Sequence, residues 1–479
     1  MPSPDPSLLT RLRAIVGAEF VLTSPEDTIP YGFDGTAALK GPVGVVVLPG
    51  STQEVSSVVK LANEHGVTIV TRGSGTGLSG GSVPSGDCIV LCTVKMEKIL
   101  EVDSANLTMT AEPGVTTIQI AEAAEKAGLF YPPDPGSMKI STIGGNVAEN
   151  SGGLRGLKYG VTRNYVMGME VVLPDGEVMW LGNKCVKDVA GFSLKDVMIG
   201  SEGTLGVITA AVMKLAPRPR AYLTATVALR SLGDALDLLN RLQAESGGAV
   251  EAFEYMPREY IEGHLKLDPK ARLPFAERHD VNVMIELGIT SSLLATQRPD
   301  GTRPADEMLE AVLATMHEEG ALLDAVIATS EAQRREMWTR RESAAAIAYL
   351  RACRVDNDIA LPLDRIEDFY ARVRPRLAAI DPEIDELTVA HLGDGNLHYT
   401  LYPTSTDEAL QDRLRETVED VVAELGGSFS AEHGIGLNKL PTMRRRKPPE
   451  VLAAMRLVKA AFDPDNLMNP GKLIPPANS

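Results

Sequence analysis

The sequence predicts an α+β protein whose two halves are built differently. Its 479 residues are enough for about three ordinary domains. Glycine-rich loops joining short apolar strands dominate the first half, whereas amphipathic helices alternate with strands in the second. The proline-rich stretch Ala216-Pro-Arg-Pro-Arg220 interrupts both patterns. We therefore expect one domain over residues 1–216, a second over 217–425, and a C-terminal segment over 426–479.

The first half contains strands, three helical patterns and a long region of small residues. Ser51-Thr-Gln-Glu54 is a capping box and opens a helix that Gly66 ends. Residues 131–164 are rich in Gly, Pro, Ser and Asn, and we expect mainly loops there. The expected strands are Val43–Leu48, Val67–Val70, Cys88–Val94, Leu107–Glu112, Gly168–Leu173, Glu177–Leu181 and Val207–Leu215, with helices over 7–17, 51–65 and 117–127.

The second half reads as a largely antiparallel sheet covered by helices. The expected strands are Leu223–Leu229, Val250–Tyr255, Val281–Gly288, Leu322–Ala328, Ile359–Leu361 and Glu386–Ala390. The expected helices cover 232–245, 305–318, 330–351, 364–379, 406–425 and 448–461. The long helix over 330–351 carries four arginines, Arg334, Arg335, Arg340 and Arg341, and most of them are expected on a solvated face.

Charge and cysteine usage exclude several classes of protein. The net charge of −17 argues against a nucleic-acid binder, which would usually be basic. The four cysteines form no CxxC pair and are expected to be reduced, with Cys88 and Cys92 packed in a core. The first residues do not have the pattern of a signal peptide, so none is expected, and no apolar run approaches about 20 residues. These features predict a cytoplasmic protein without a transmembrane segment, at most peripheral to the inner face of a membrane.

The segment Gly75-Thr-Gly-Leu-Ser-Gly80 matches the dinucleotide motif G-x-G-x-x-G literally. That motif holds pyrophosphate only when its last glycine opens a helix. Here the predicted strand at Cys88 follows too soon for a helix, so the loop joins two strands and the Rossmann interpretation is disfavoured. Consecutive small residues can still turn backbone N–H groups toward an anion. Further small-residue clusters at 132–153 and 200–206 favour a long ligand held against the backbone.

A second constellation, His391-Leu-Gly-Asp-Gly-Asn-Leu-His398, is typical of a tight turn between two strands. A turn over Gly393–Asn396 would place His391 opposite His398, close enough to converge on one metal ion. Glu432, in Ser430-Ala-Glu-His433, could supply a third ligand and leave positions open for a substrate. Two hydrogen-bonded histidines flanking a turn are an equally good interpretation of the spacing alone.

Four motifs in this order resemble the vanillyl-alcohol-oxidase-type flavoproteins, specifically the FAD-linked D-2-hydroxyacid dehydrogenases. They are Thr71–Gly81, Pro133–Ser137, Ile143–Asn150 and Gly200–Gly206. The family includes D-lactate dehydrogenase, the FAD subunit of glycolate oxidase and D-2-hydroxyglutarate dehydrogenase. The resemblance implies an FAD-binding first domain, a substrate (cap) domain, and a C-terminal helical segment that returns to the flavin. It places FAD against Arg72, Gly73, Ser74, Gly75, Thr76, Gly77, Pro133, Ser137, Ile143, Gly144, Gly145, Asn146, Ala148, Asn150, Glu202, Gly203, Ile208 and Asn469. Residues 71–81 contain neither His nor Cys, so the FAD is expected to be non-covalent.

The same resemblance assigns roles in the second half. It implies that His391, His398 and Glu432 hold a divalent metal, usually zinc, and that His433 is the catalytic base. Arg341 would bind the substrate carboxylate, for which a planar guanidinium is suited. The implied reaction is metal-assisted hydride transfer from a 2-hydroxy acid to flavin N5, giving the 2-oxo acid. A quinone, an electron-transfer flavoprotein or an iron–sulfur subunit would accept the electrons, in a homodimer or an oxidase complex.

Three positions depart from the hydroxyglutarate-oxidising branch. A threonine, a lysine and an asparagine of that branch are replaced by Ala345, Asp356 and Thr400. Losing a cation and gaining an anion disfavours a second substrate carboxylate, since one close charge pair is worth about 4 kcal/mol at an effective dielectric constant of about 20. We therefore expect glycolate or D-lactate rather than D-2-hydroxyglutarate. A zinc hydrolase built on the same histidines and a non-catalytic, FAD-binding subunit of an oxidase complex are the alternatives.

Overall fold

The computed structural model describes residues 5–36 and 38–477, which form two compact units. The first unit comprises the described residues up to Gly153, then Val161–Pro217, and the chain from Glu432 onward. The second comprises Leu154–Gly160 and Arg218–Ala431. The predicted division at residues 216 and 425 stays a prediction.

The first unit contains a four-stranded sheet in the order Val21–Leu22, Val45–Val47, Cys88–Cys92, Thr68–Arg72. The last three strands run parallel, and the first is antiparallel to its neighbour. The helix Thr52–His65 connects two of the strands, with Ser51 as its N-cap and Gly66 as its left-handed C-cap. Cys88 and Cys92 are 1% exposed, which confirms their predicted place in a core.

A five-stranded antiparallel sheet completes most of this unit, in the order Ile99–Asp103, Thr108–Ala111, Val207–Lys214, Val166–Val172, Val178–Gly182. Leu129–Phe130 and Ala216–Pro217 form a separate two-stranded ladder. The other α-helices of this unit are Pro6–Val16, Pro25–Thr28, Thr117–Lys126, Ile143–Glu149, Leu194–Met198, Leu440–Arg446 and Pro449–Phe462.

The helix Ile143–Glu149 lies within residues 131–164, most of which form loops as expected. Two glycines stand near its start, although glycine is unfavourable inside a helix. Gly144 is needed because a Cβ there would lie 2.6 Å from the side chain of Pro113. The helix ends at Asn150, whose φ of 56° closes it in the left-handed conformation.

The second unit contains a seven-stranded sheet in which every described pair is antiparallel. Its strand order is Leu322–Ile327, Ala221–Leu229, Val281–Ile289, Val250–Pro257, Asp385–His391, Asn396–Tyr402, Val355–Ala360. Its α-helices are Gly156–Tyr159, Leu232–Ser246, Arg258–Leu267, Ser292–Ala295, Pro304–Glu318, Glu331–Glu342, Ala344–Ala348, Ile366–Ile380 and Glu408–Glu424. The predicted α+β fold class with a largely antiparallel second sheet is confirmed.

The prediction of one helix over 330–351 is wrong in length. The prediction that most of its four arginines are solvated is also wrong. It divides at Ser343 into Glu331–Glu342 and Ala344–Ala348. The Ser343 hydroxyl donates to the carbonyl of Thr339, and a short polar side chain in this position competes with regular helix. Arg340 and Arg341 are 3% and 4% exposed. Nη2 of Arg340 donates to the carbonyl of Arg272, and Nε of Arg341 donates to the buried carboxylate of Glu254.

Among the described residues, no helix combines the length and the apolar character needed to cross a bilayer.

Candidate active site

The glycine loop of the first unit connects two parallel strands, as predicted, with no helix between Arg72 and Cys88. The Arg72 guanidinium is buried and donates through Nη1 to the carbonyls of Tyr31 and Phe33, both at 3.0 Å. Gly75 lies over it with φ of 76°, and a Cβ there would be 1.7 Å from Nη2 of Arg72. The arginine therefore shapes the loop through its side chain.

Three buried hydroxyl groups near the glycine-rich segments lack a hydrogen-bond partner within the described part of the chain: Thr71 Oγ1, Ser82 Oγ and Tyr131 OH. Thr71 precedes the glycine loop, Ser82 follows it, and Tyr131 precedes the Pro132–Ser137 cluster. Buried polar atoms in native proteins are nearly always satisfied. A polar ligand with several acceptors, such as a dinucleotide, would fit these donors.

The 143–150 segment uses its polar side chains for structure. Nδ2 of Asn146 donates to Thr117 Oγ1 at 2.6 Å, and Oδ1 of Asn150 accepts from the N–H of Arg163 at 2.9 Å. The loop at 73 is held close to this helix, since a Cβ on Gly73 would be 2.1 Å from Thr142 Oγ1. The sequence-predicted segments Arg72–Gly77 and Ile143–Asn150 are thus neighbours within the first unit.

Glu202 and Asn469 join the glycine loop to two other segments of the first unit. The Glu202 carboxylate accepts from the N–H groups of Ile435 at 2.8 Å and Gly436 at 2.7 Å. Nδ2 of Asn469 donates to the carbonyls of Gly81 at 2.9 Å and Glu202 at 2.7 Å. Direct contact of Asn469 with the cofactor therefore stays a prediction, and its observed role is to hold three loops together.

A second carboxyl group, that of the half-buried Glu149, lies close to that of Glu202. A Cβ on Gly434 would be 2.5 Å from Glu149 Oε2 and 2.9 Å from Glu202 Oε1. Burial, and then the charge of Glu202, raise the pKa of Glu149 well above its usual value, and burial also raises the pKa of Glu202. Burial lowers the pKa of the nearby Lys472 to about 8.

The remaining predicted cofactor residues are also placed in the first unit. Pro133 is buried and Ser137 half-buried, Gly203 has a φ of 70° beside Thr71, and Ile208 pairs with Val171. Ser74, Thr76 and Gly77 lie in the glycine loop, whereas Ile143, Gly145 and Ala148 lie on the helix Ile143–Glu149.

In the second unit, the pairing of the hairpin that carries His391 and His398 differs from the predicted register by two residues. The turn covers Leu392–Gly395, so that His391 pairs with Asn396 and His398 pairs with Val389. Gly395 sets this register, because it has a φ of 81° and its N–H donates to the carbonyl of His391. The histidines are therefore diagonal neighbours, not direct partners.

The corrected register keeps both histidines on one face of the sheet, since Asn396 and His398 are two residues apart. Their ring centroids are 5.3 Å apart, and the rings meet edge to face at 82°. Glu254 pairs with His391 on one side, and Asp358 pairs with His398 on the other. Four strands thus bring two imidazoles and two carboxylates to one face.

Glu254 is the centre of a buried network that sequence reasoning missed. Its carboxylate accepts from Nε of Arg341 at 2.6 Å and lies 2.9 and 3.0 Å from Nδ1 of His391. Burial opposes ionisation of Glu254, but His391 and Arg341 outweigh it and lower the pKa of its carboxyl group. An acidic residue inside the apolar strand Val250–Pro257 was the available signal, because a buried charge needs a partner.

A second missed carboxylate, Glu286, anchors the helix Glu331–Glu342 to the same sheet. It accepts two hydrogen bonds from Arg334, at 2.7 and 2.8 Å, and one from Nε1 of Trp338 at 2.7 Å. Arg334, Trp338 and Arg341 have the spacing i, i+4, i+7, which places them on one face of the helix. This face holds Arg341 beside His391.

Asp358 holds Ala431, the last residue of the second unit, by a hydrogen bond. Its Oδ1 accepts from Nδ2 of Asn396 at 3.1 Å, and its Oδ2 accepts from the N–H of Ala431 at 3.1 Å. Glu432 and His433 follow directly in sequence and belong to the first unit. There a Cβ on Gly152 would be 2.4 Å from Glu432 Oε1, and Ser79 Oγ donates to the carbonyl of His433 at 2.7 Å.

Two models of known protein families match this chain, one in each half. The model of the family "FAD linked oxidases, C-terminal domain" matches residues 218–473, and that of "FAD binding domain" matches residues 43–182. The chain belongs to the FAD linked oxidases. This confirms the family predicted from the glycine-rich motifs and the predicted FAD-binding domain.

Named relatives of this FAD linked oxidase align over almost the whole chain. The glycolate oxidase subunit GlcD of Bacillus subtilis is 37% identical over 97% of this chain and 96% of its own length. A D-2-hydroxyglutarate dehydrogenase of Xanthomonas citri is 34% identical, covering 98% of this chain and 97% of that relative. A D-lactate dehydrogenase of Anaerostipes hadrus is 35% identical, covering 90% and 89%.

Solved structures agree on the fold of this oxidase. p-Cresol methylhydroxylase with substrate bound superposes with a TM-score of 0.76 at 16% identity, covering 99% of this chain and 97% of that one. Alkyldihydroxyacetonephosphate synthase gives 0.73 at 18% identity, covering 98% and 86%. Identities this low establish the fold alone.

Proposed function

We propose that this FAD linked oxidase converts a small 2-hydroxy acid, glycolate or D-lactate, to the corresponding 2-oxo acid. The arrangement of His391, His398 and Arg341 around Glu254 is the observation that carries the proposal. It places two imidazoles of the kind that ligate metals beside a guanidinium of the kind that binds carboxylates. A 2-hydroxy acid presents a carboxylate and an adjacent hydroxyl group, which are the two functions such a pair recognises.

The side chains have separate roles in this proposal. Arg341 binds the substrate carboxylate and orients the Cα–H bond. His391, His398 and Glu432 hold a divalent metal, proposed to be zinc, and His433 takes the hydroxyl proton, a general-base role that an imidazole often has. A metal bound there would supply Lewis-acid polarisation of the hydroxyl oxygen, and bound FAD would supply the hydride acceptor.

The first unit's residues support a non-covalent FAD. Residues 71–81 contain neither histidine nor cysteine. The buried hydroxyl groups of Thr71, Ser82 and Tyr131 are donors suited to the cofactor's phosphates and ring oxygens. We propose that the predicted FAD residues from Arg72 to Asn469 form this site through backbone N–H groups as much as through side chains.

Preference for a monocarboxylate rests on Asp356 and its surroundings. Asp356 Oδ1 accepts from Thr400 Oγ1 at 2.9 Å, and Oδ2 accepts from Nε of Arg354 at 2.9 Å. The pair Asp356–Arg354 is nearly neutral as a unit, so this edge of the sheet offers no net cation to a second carboxylate. The relatives named glycolate oxidase subunit and D-lactate dehydrogenase support the same choice.

The acceptor and the assembly are also part of the proposal. A quinone, an electron-transfer flavoprotein or an iron–sulfur subunit takes the electrons, in a homodimer or an oxidase complex. A cytoplasmic protein peripheral to the inner face of a membrane is compatible with each of them.

Steady-state kinetics with an artificial electron acceptor test the proposal. The substrates are glycolate, D-lactate, L-lactate and D-2-hydroxyglutarate, each assayed before and after dialysis against a chelator and after zinc is restored. Glycolate or D-lactate should give the highest kcat/KM, and dialysis should abolish turnover until zinc returns. D-2-Hydroxyglutarate as the best substrate would instead favour the activity that the Xanthomonas citri relative is named for.

A further inference from the structure

Glu254 contacts both residues to which the proposed function gives separate tasks. It lies on the strand Val250–Pro257 directly opposite His391, and its side chain is 1% exposed. Its carboxylate meets Arg341 on one side and His391 on the other. No other described carboxylate contacts both of these side chains in the second unit.

The contacts at Nδ1 determine the tautomer of His391. Both oxygens of Glu254 lie within 3.0 Å of Nδ1, whereas Nη2 of Arg341 lies 3.3 Å away. Nδ1 cannot donate to Glu254 and accept from Arg341 at once. Because the carboxylate contacts are shorter and the acceptor is ionised, Nδ1 carries the proton and donates it to Glu254. The lone pair of the neutral ring is then on Nε2, the form in which a histidine binds a metal through that nitrogen.

The same carboxylate fixes Arg341. Its Nε donates to Glu254 Oε2 at 2.6 Å, so the plane of the guanidinium is set on the Nε side. The two Nη groups form the opposite edge of that plane, which is the edge a substrate carboxylate would engage with paired hydrogen bonds. A rotation of Glu254 would therefore move the arginine and the histidine together.

Glu286 provides a natural comparison in the same sheet. It is also fully buried and also bound by an arginine on the helix Glu331–Glu342, but its partners are Arg334 and Trp338. Its hydrogen bonds hold the helix in place and do not reach either histidine. Comparing variants of the two glutamates can therefore distinguish a direct effect on His391 and Arg341 from a general loss of helix packing.

We propose that Glu254 is a positioning residue that fixes the Nδ1–H tautomer of His391 and the orientation of Arg341, and so links metal binding to recognition of the substrate carboxylate. This inference rests on the proposed function. The proposal makes a specific prediction: removing the negative charge of Glu254 should weaken both metal binding and binding of the substrate carboxylate.

The test is the substitution Glu254→Gln in the FAD-loaded full-length protein. The amide of glutamine would present N–H groups where Nδ1–H and Nε–H now donate, so the His391 ring would change tautomer and Arg341 would turn. The zinc Kd, measured by competition with a chromophoric chelator, should rise about 10- to 100-fold, the effect typical of losing the carboxylate behind a metal-bound histidine. The KM for D-lactate and for glycolate should rise as well.

One control variant and one fallback variant make the result specific. Glu286→Gln should leave the zinc Kd within about threefold of the wild-type value. Should Glu254→Gln fail to fold, Glu254→Asp replaces it, since it retains the charge and withdraws it by one methylene group.

An unchanged zinc Kd in Glu254→Gln would overturn the inference while leaving the metal site intact. An equal loss in Glu254→Gln and Glu286→Gln would also overturn it, because the effect would then be one of packing. A wild-type protein that binds no zinc would instead refute the metal part of the proposed function and this inference with it, and the wild-type titration reveals that case before any variant is made.

Discussion

The imidazole rings of His391 and His398 meet edge to face with their centroids 5.3 Å apart, although the two residues are not partners in the hairpin. They share a face because the offset between them is two residues along the strand. Replacing either with alanine should remove bound zinc and lower kcat/KM by at least about 10³-fold, since each ligand is needed to hold the metal. The measurement pairs metal analysis with steady-state kinetics. His317→Gln, at an exposed histidine, should change neither quantity, and full activity in His391→Ala would contradict the assignment.

Arg341 should be sensitive even to a conservative change. Arg341→Lys keeps the charge but loses the planar fork that is tied to Glu254 through Nε. Hydrogen bonds between charged groups are worth about 1.5–3 kcal/mol, so the KM for D-lactate should rise about 10- to 100-fold. Initial-rate kinetics would measure the effect, and Arg335→Lys at an exposed neighbour is the matched control. If neither variant changes the KM, the substrate carboxylate does not bind Arg341.

Asp356 should govern the choice between one and two carboxylates. Asp356→Lys removes the partner of Arg354 and places two cations on one sheet edge. The ratio of kcat/KM for D-2-hydroxyglutarate to that for D-lactate should rise, by about tenfold or more. Asp364→Lys, on an exposed site of the same unit, should leave the ratio unchanged. A ratio that falls in Asp356→Lys would mean that this edge does not face the substrate.

The glycine loop offers a test of FAD binding that is independent of catalysis. Gly75 and Gly86 both have positive φ, 76° and 82°, so alanine strains each backbone. Only at Gly75 would the added Cβ collide with a buried group, Nη2 of Arg72 at 1.7 Å, because nothing lies within 4 Å of a Cβ at Gly86. The flavin-to-protein ratio of Gly75→Ala should fall severalfold, and that of Gly86→Ala should remain normal. Equal ratios would show that the loop does not hold the cofactor.

The carboxyl group of Glu149 predicts a pH dependence of stability. Its pKa in the folded protein lies well above the usual value for glutamate, so the folded state retains a proton that the unfolded chain releases. The free energy of unfolding therefore falls as the pH rises from about 4.5 through the folded pKa. Glu149→Gln is neutral at every pH and should avoid this loss, so its Tm at pH 7 should exceed that of the wild type by on the order of 2 °C. Differential scanning fluorimetry across pH 4 to 8 would show the gap widening, whereas Glu122→Gln, at an exposed glutamate, should show none.

The family and the general site were predictable from sequence because they depend on local chemistry. Glycines that must adopt positive φ, and histidines close together in the chain, are visible as motifs. Glu254 was not, since its partners Arg341 and His391 lie 87 and 137 residues away and only the strand order brings them together. The hairpin register was missed because Leu392 reads as a strand residue, whereas the positive φ of Gly395 decides where the turn ends. Small residues in Ile143–Asn150 likewise concealed a helix that needs Gly144 to pack against Pro113.

The most direct measurement is an anaerobic absorbance spectrum of the purified protein, recorded while glycolate, D-lactate, L-lactate and D-2-hydroxyglutarate are added one at a time. We expect visible flavin bands that glycolate or D-lactate bleaches, which would establish the cofactor, the reaction and the substrate class together. Flavin bands that none of the four acids bleaches would contradict the proposed reaction.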